Sequence, residues 1–426
     1  MDEKKFKVGG KGAWTTLIVL SLLWLINFAD RSVISIAIEP IKLAYNLTDT
    51  EVGILPTILT VGVALLTIPG AMLADRWARR KLISIFAFTW SLFHLLTGFA
   101  TSLWQLTAAR FMVGAGESGF LPASMSWLSV SFRKEVRSFV MAIFYMCNQF
   151  GVLAGLIIGG WLIAATNDWR TPFYAFAVPG FILCIIVFFL PDYKTAVKSG
   201  ESFLSKEYFS EIKDLFKIKS FVLSVIGGIF FFYTVFALQT WLPVLIMRGY
   251  NMSTLEVGKI YLLLIPAALI SPLGAWIADR WNRRNKNGRV YYLILACFIS
   301  LAVTLITLLL VGVPLEFWLI FYVLTGVCWF LAPAVTLTIV NDVTPLRLRS
   351  TSMGIMNLIA QLLGAGMGTF MVGVVSDKLG GGSQGILWGM IWTIPVGLVA
   401  AIIYLFLIRC YHRDSAAIVD EVQAEG

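Results

Sequence analysis

Charged residues are scarce in this chain. They make up 13% of its 426 residues, whereas soluble domains carry roughly 25%. Hydrophobic residues reach 58%, and the mean hydropathy is +0.83. A globular protein in water needs polar residues to cover its surface, so this composition excludes a soluble enzyme and a disordered protein. It predicts a protein embedded in a membrane.

Several chemical signatures are also missing. The five cysteines and two histidines do not show the spacing of a disulfide framework or a zinc site. No Gly-x-x-x-x-Gly-Lys-[Ser/Thr] phosphate loop occurs. Because the chain has only two histidines, the sequence also offers no candidate pair of a catalytic nucleophile and its general base. We therefore expect that the protein is not an enzyme, and that it uses neither a metal nor an organic cofactor.

Long apolar runs dominate the rest of the sequence. A helix needs about 20 mostly apolar residues to cross a bilayer, and the runs lack the alternation of barrel strands, which are about ten residues long. Helices are therefore the structure to expect, because they satisfy their own backbone in lipid. We predict twelve spans, numbered in chain order: 14–38, 51–73, 81–101, 104–129, 137–164, 169–190, 220–247, 254–278, 290–312, 315–341, 349–376 and 385–409.

The basic residues are distributed unevenly about these spans. With a cytoplasmic N-terminus, all but seven of the 33 basic residues lie in cytoplasmic segments. Residues at the very end of a span are counted with the adjacent segment, and the exceptions are then four in outer loops and three well inside spans, namely Arg31, Arg110 and Lys259. This is the positive-inside pattern, so the net charge of +9 indicates topology and needs no nucleic acid partner. We expect both termini in the cytoplasm, lipid around the helices, and a bacterial inner membrane as the location.

A polar segment divides the chain. Residues 191–219 form the longest polar stretch between spans and include six lysines. We predict a cytoplasmic linker here, between an N-terminal six-helix bundle at 1–190 and a C-terminal one at 220–409, with a cytoplasmic tail at 410–426.

The two halves also share sequence. Segments 70–81 and 274–285 are identical at eight of twelve positions. Two shorter matches, at 51–53 with 256–258 and at 137–138 with 349–350, follow the same order in each half. Parallel repeats of this kind occur in transporters with a substrate site near the midplane. The sequence therefore predicts an all-α integral membrane protein, with twelve transmembrane helices in two six-helix bundles related by a parallel internal repeat.

Charges inside the spans are the strongest functional candidates. Asp30 and Arg31 lie in span 1 and Glu117 lies in span 4, where a central charge costs about 2.5–3.5 kcal/mol on insertion scales. They form either an ion pair that only joins two helices or a switchable site, and we favour the switch. A buried carboxyl is readily neutralised by a proton, while arginine stays charged. A proton on Glu117 would free Arg31 to bind a substrate carboxylate.

Two motifs resemble those of a known family. Gly70-x-x-x-Ala-Asp75-Arg76-x-x-Arg-Arg80 resembles the signature loop of the major facilitator superfamily, and Arg110-x-x-x-Gly-x-Gly-Glu117 resembles its second motif. Residues 27–31 and 114–122 look like the anion:cation symporter branch. The Spinster branch of lysolipid and sphingolipid carriers has similar Asp-Arg and Gly-Glu motifs, and residues 363–377 look closer to that branch.

This resemblance implies a function and roles for residues. The symporter branch implies proton-coupled symport of a small organic anion, a carboxylate or sugar acid, by alternating access in a functional monomer driven by the proton gradient. It implies that Arg31 anchors the anion and that Glu117 and Asp30 are the protonation sites. The Spinster branch implies the alternative, a transporter of lysolipids or related amphiphiles.

Polar and aromatic residues on other spans are weaker candidates. Each either packs between helices or contacts the substrate, and Gln149 resembles a substrate-contacting glutamine of the symporter branch. The candidates for substrate binding, with Arg31, are Gln149, Asn148, Tyr233, Gln239, Trp241, Asn357 and Gln361.

The repeated Asp-Arg loops are candidates for gates. Their acids lie at the cytoplasmic ends of spans 2 and 8, where each can meet nearby arginines or the positive end of a helix. The alternative is positive-inside topology with a simple helix cap. The residues concerned are Asp75, Arg76, Arg79, Arg80, Arg137, Asp279, Arg280, Arg283 and Arg349.

For four further features we favour a structural interpretation over a functional one. We expect Arg110 to order backbone carbonyls or local polar groups and not to bind substrate. We expect Lys259 to reach the outer interface and not to act as a second anion anchor, and His94 to be packed or interfacial and not to titrate. The glycine series at 151–160 predicts close helix packing.

Overall fold

The computed structural model describes residues 8–76, 78–192, 213–345 and 348–425. Within these ranges the chain is helical almost throughout and forms no strand. The predicted all-α class is confirmed.

Eighteen α-helices are described in these ranges. Three shorter segments join them: a π-helical stretch, Ala360–Gly366, and two single turns, Leu262–Leu264 and Ile394–Val396. The α-helices are α1 Lys11–Tyr45, α2 Asp49–Arg76, α3 Arg79–Phe99, α4 Leu103–Glu117, α5 Phe120–Ser131, α6 Lys134–Thr166, α7 Thr171–Phe188, α8 Lys219–Tyr250, α9 Thr254–Tyr261, α10 Ile265–Leu269, α11 Ser271–Arg284, α12 Gly288–Leu309, α13 Leu315–Leu331, α14 Pro333–Asp342, α15 Arg349–Ile359, α16 Met367–Lys378, α17 Gly382–Thr393 and α18 Gly397–Glu425.

The predicted spans are present. Eleven helical stretches among the described residues are long and apolar enough to cross a membrane, and they correspond to eleven predictions. Span 4 coincides with α4 and α5, which are interrupted at Ser118 and Gly119. Pro122 explains the interruption, because proline lacks an N–H and its ring clashes with the carbonyl four residues earlier, that of Ser118. The fourth span is therefore broken immediately after Glu117.

The chain forms two compact units. The first comprises residues 1–200 and 252–262, and the second comprises 201–251 and 263–426, as far as each is described. These limits differ from the predicted bundles at α9, which groups with the first unit. There Thr254 Oγ1 donates a hydrogen bond to the Gly160 carbonyl of α6 at 3.0 Å.

The predicted linker and the predicted C-terminal tail are described to different extents. Most of the predicted linker, residues 193–212, lies outside the described residues. The predicted tail is largely helical, because α18 continues to Glu425. In the second unit Asp414 of α18 accepts hydrogen bonds from the backbone N–H of Ser220 at 3.1 Å and from its hydroxyl at 2.7 Å. Asp414 thus supplies a cap at the start of α8.

Candidate functional site

Small residues bring α1 and α6 together in the first unit. Gly151 and Gly155 of α6 lie against the backbone carbonyls of Leu25 and Ala29 in α1, where a Cβ would collide. The predicted close packing of this glycine series is confirmed. It fixes the α1 backbone immediately before Asp30.

Glycines also position α4. Gly114 lies against the Leu59 carbonyl of α2, and Gly116 lies against the backbone of Trp90 in α3. Both contacts require that no Cβ is present. Glu117 is the next residue and the last of α4, and it is only 4% exposed. Its carboxylate is therefore held by a helix that is packed tightly on two sides.

Arg31 and Glu117 form an ion pair between α1 and α4. Arg31 Nε donates to Glu117 Oε2 at 2.6 Å, and Nη2 pairs with the same oxygen. The two side chains are 11% and 2% exposed. The guanidinium carbon also lies 5.1 Å from the centre of the Phe28 ring. The two residues singled out from the sequence therefore meet in a largely water-excluded place.

Asp30 belongs to a second buried cluster. Its carboxylate Oδ1 lies 3.3 Å from His94 Nε2 of α3, and neither side chain is exposed. Arg110 of α4 is also fully buried, and its Nη1 donates to the Asp30 carbonyl at 3.5 Å. The Arg110 guanidinium lies 4.9 Å from the centre of the Phe173 ring. Arg110 thus contacts a backbone carbonyl, as the sequence led us to expect.

The formal charges of these two clusters balance. They contain two carboxylates, Asp30 and Glu117, and two guanidinium groups, Arg31 and Arg110, while a neutral His94 adds no charge. A net charge buried in a low-dielectric region is costly. A proton that binds here therefore creates an excess positive charge that an anion can offset.

The other predicted substrate-binding residues are half-buried or buried, and they lie on helices of both units. Asn148 and Gln149 are half-buried on α6. In the second unit Tyr233 is buried on α8, Gln239 and Asn357 are half-buried, and Gln361 lies in the π-helical stretch. Contact with a substrate stays a prediction for all of these residues.

Trp241 is packed between two helices of the second unit. It is fully buried, and its indole Nε1 donates to the Thr369 carbonyl of α16 at 2.7 Å. Its only polar atom is therefore paired in a contact between α8 and α16, which favours the packing alternative. Contact of Trp241 with a substrate stays a prediction.

The candidate gate of the first unit is only partly described. The side chains of Asp75, Arg76 and Arg137 lie outside the described part of the structure. Arg79 is buried at the start of α3, with Nη2 3.4 Å from Ser126 Oγ. The backbone N–H of Arg80 donates to the Asp192 carboxylate at 3.1 Å, which caps α3.

The candidate gate of the second unit contacts residues that the sequence did not single out. The side chain of Arg349, one of the predicted gate residues, lies outside the described residues. Asp279 accepts from Arg289 Nε at 2.9 Å. The Nη1 of Arg289 donates to Asp342 Oδ2 at 2.8 Å, and that oxygen also accepts from the Tyr411 hydroxyl at 2.6 Å. This network joins α11, α12, α14 and α18, whereas the side chains of Arg280 and Arg283 are exposed.

The sequence did not predict the contacts of two residues, Arg289 and His94. Arg289 was counted only as a topological charge, although the acid Asp342 at the end of span 10 that we predict to be cytoplasmic was an available signal. His94 was assigned to packing, and its contact with Asp30 could not be read from sequence spacing. Lys259 is exposed, in agreement with an interfacial position.

Comparison with known proteins gives relatives along most of the chain. An MFS-type efflux pump of Mycolicibacterium smegmatis is 27% identical over 95% of both chains. Protein spinster homolog 1 of Xenopus tropicalis is 25% identical over 86% of this chain and 73% of its own. The probable galactarate/D-glucarate transporter GarP of Escherichia coli is 26% identical over 61% of this chain and 64% of its own.

The fold matches solved transporters as well. A crystal structure of a bacterial homologue of the human lysosomal transporter Spinster, inward-facing and unoccupied, matches with a TM-score of 0.79. The two sequences are 20% identical, and the match covers 95% of this chain and 99% of that one. Residues 20–369 match the family profile described as Major Facilitator Superfamily. With its apolar helical spans, a shared motif in each half and this match over most of its length, the chain belongs to the Major Facilitator Superfamily.

Proposed function

We propose that this membrane transporter carries a small organic anion together with protons. The observation that supports this most is the balanced set of two carboxylates and two guanidinium groups buried in the first unit. A proton on either carboxylate leaves one positive charge in excess, and an uncompensated buried charge costs several kcal/mol. Binding an anion removes that excess, so proton and anion favour each other's binding. The proton gradient is then the energy source, and no cofactor is needed.

Arg31 is the proposed anion anchor. Both Nε and Nη2 now engage a single oxygen of Glu117. Once Glu117 is protonated, the same two donors can form parallel hydrogen bonds to both oxygens of a substrate carboxylate. Glu117 is therefore the proposed coupling residue, and Asp30 is proposed as a second protonation site. The name of GarP, a probable galactarate/D-glucarate transporter, is consistent with a sugar acid or another carboxylate.

The first test is ligand binding by the purified protein. Its thermal unfolding would be measured at about pH 5.5 and about pH 7.5 with monocarboxylates, dicarboxylates, sugar acids, aromatic acids and lysolipids. A ligand at about 100 times its Kd stabilises a protein by about 2.7 kcal/mol. We expect one carboxylate class to stabilise the protein, more at low pH. We expect that effect to be lost in Arg31→Ala and retained in Arg283→Ala, which removes an exposed arginine of the second unit. Stabilisation by a carboxylate that survives Arg31→Ala would refute the anchor.

The second test is transport in proteoliposomes. The carboxylate found in the binding assay would be supplied with an imposed pH gradient and no substrate gradient. We expect the wild type to accumulate it. Glu117→Gln should exchange labelled for unlabelled substrate but should not accumulate it. If Glu117→Gln accumulates substrate on a pH gradient alone, proton coupling through this residue is wrong.

Spinster-like transport of a lysolipid is the second candidate. It is favoured by the sequence similarity to protein spinster homolog 1. Stabilisation by lysolipids alone, unchanged in Arg31→Ala, would support this function over organic anion symport.

Orientation and gating are part of the same proposal. The distribution of basic residues supports cytoplasmic termini in a bacterial inner membrane, and we expect the monomer to be functional. The hydrogen bonds of Arg289 and Tyr411 to Asp279 and Asp342 join four helices at the end of the second unit that we propose to be cytoplasmic. We propose that this network stabilises one transport state, as the signature loop is expected to do in the first unit.

A further inference from the structure

His94 contacts a proposed protonation site of the transporter. It lies in the middle of α3, with Nε2 3.3 Å from Asp30 Oδ1, and both side chains are fully buried. The Phe173 ring packs against the imidazole, with the ring centres 5.1 Å apart and the ring planes inclined by 51°. The same phenyl ring carries the Arg110 guanidinium. The imidazole therefore contacts a carboxylate and an aromatic ring that itself contacts a cation.

The charged neighbours of His94 are few. Among the described residues, Asp30 of α1 contacts the imidazole, and α4, which packs against α3, contributes Arg110 and, beyond Asp30, Glu117. From α7 the near neighbour is Phe173, while Tyr174 and Cys184 of that helix contact other parts of α3. Helix α5 contains no titratable residue, and those of α2 lie at its two ends. On α3 itself the basic residues begin about 20 Å away, at 1.5 Å per residue.

The polar atoms of Asp30 and His94 have few possible partners other than each other. Among the described residues, neither Asp30 carboxylate oxygen and neither His94 ring nitrogen has a hydrogen-bond partner, and His94 Nε2 lies 3.3 Å from Asp30 Oδ1. Groups buried this deeply need partners, and the contact between Nε2 and Oδ1 is the one at hand. A lone packed histidine would not require a carboxylate beside it.

We propose that Asp30 and His94 take up one proton as a unit, so that His94 positions and shares the proton of this second coupling site. In the deprotonated state, neutral His94 donates its Nε2–H to the Asp30 carboxylate. The protonated pair has two forms with the same atoms. Either an imidazolium faces the carboxylate, or a neutral imidazole protonated at Nδ1 accepts from the carboxylic acid. The added hydrogen is on Nδ1 in both forms.

The pair adds a second charge change beside the anion anchor. Asp30 precedes Arg31 in the chain, so a proton on the pair leaves the Arg31 and Arg110 cations less compensated. This extends the proposed proton–anion coupling from Glu117 to a second site and rests on that proposed function.

The chain allows a single-site measurement. It contains two histidines, His94 and His412, so protein labelled with ¹⁵N-histidine and carrying His412→Gln gives imidazole signals from His94 alone. We expect the Nδ1 signal to change from the bare to the protonated type between about pH 9 and about pH 5. Asp30→Asn should abolish this transition or move its midpoint by about one pH unit or more. Asp168→Asn, which removes an exposed carboxylate of the same unit, should leave it unchanged.

Two results would overturn the proposal. One is a wild-type Nδ1 signal that stays constant over this range, and the other is an unchanged midpoint in Asp30→Asn. If Asp30→Asn does not fold, Asp30→Ser provides the same comparison. The measurement needs no substrate. A titration coupled to Asp30 with no gradient-driven uptake would retain the pair and refute symport, whereas uptake without the coupled titration would refute only the pair.

Discussion

The buried pair of Arg31 and Glu117 should be visible as a strong energetic coupling. Glu117→Gln keeps the shape of the side chain but removes its charge and leaves Arg31, which is 11% exposed, without a counter-ion. Arg31→Gln leaves the Glu117 carboxylate, 2% exposed, in the same position. The double variant Arg31→Gln with Glu117→Gln removes both charges and leaves Asp30 and Arg110 to balance each other.

The magnitude follows from the geometry. Opposite unit charges about 4 Å apart attract by about 4 kcal/mol at an effective dielectric constant of about 20. Removing one partner of a buried pair typically costs about 3–5 kcal/mol, whereas replacing both is often nearly neutral. We therefore expect Arg31→Gln, which leaves the buried Glu117 carboxylate unpaired, to lose about 3–5 kcal/mol of unfolding free energy. Glu117→Gln, whose neutral side chain resembles the protonated coupling state, should lose less than that. The double variant should lie within about 2 kcal/mol of the wild type, which is far from the sum.

The assay is reversible denaturation in mixed detergent micelles. The exposed pair of Asp214 and Lys217, with side chains 57% and 78% exposed, is a matched control, and its removal should change stability by less than about 0.5 kcal/mol. The cost of Glu117→Gln should also shrink at low pH, because protonation of the wild type removes the same charge. Single-variant costs that add to within about 0.5 kcal/mol in the double variant would refute the pair as a stabilising contact.

Three further predictions concern other contacts. Arg289→Gln, which leaves two acids without their shared cation, should cost about 1.5–3 kcal/mol, against less than about 0.5 kcal/mol for the exposed control Arg283→Gln in the same denaturation assay. Asp414→Ala removes the acceptor for Ser220 at the start of α8 and should cost about 0.5–2 kcal/mol, while Asp414→Asn should recover part of it. Gly155→Leu should lower the yield of folded protein in size-exclusion chromatography, because even its Cβ collides with the α1 backbone; normal yield and stability would contradict the close approach of α1 and α6.

The sequence predicted the fold well because the bilayer restricts the possibilities. Apolar runs of about 20 residues leave helices as the structure to expect, and the shared motif at 70–81 and 274–285 identified the repeat. The criterion of about 20 apolar residues did not predict the break within span 4. Pro122 divides span 4 after Glu117, although the apolar pattern of the span is continuous. Likewise, α9 groups with the first unit through contacts such as Thr254 with Gly160, which no one-dimensional pattern reveals.

The site was predictable to the extent that charge in a membrane is expensive. Arg31 and Glu117 could be paired from sequence because each needs a counter-ion and both lie inside spans. Trp241 and Arg289 were not predictable in the same way. An aromatic residue facing a cavity and one that packs against Thr369 have the same sequence signature. Arg289 was indistinguishable from the topological arginines around it until its two acids were located in space.

The arrangement of the charges constrains the mechanism more than their presence does. Glu117 faces Arg31 directly, whereas the Asp30 carboxylate lies beside His94 and its carbonyl accepts from Arg110. The two carboxylates therefore have different partners although Asp30 and Arg31 are adjacent in the chain. A proton on Glu117 releases the anchor itself, while a proton on Asp30 changes only the charge around it. Loss of Glu117 should thus abolish coupling, whereas loss of Asp30 should alter its pH dependence, and this difference distinguishes a two-site device from a single structural ion pair.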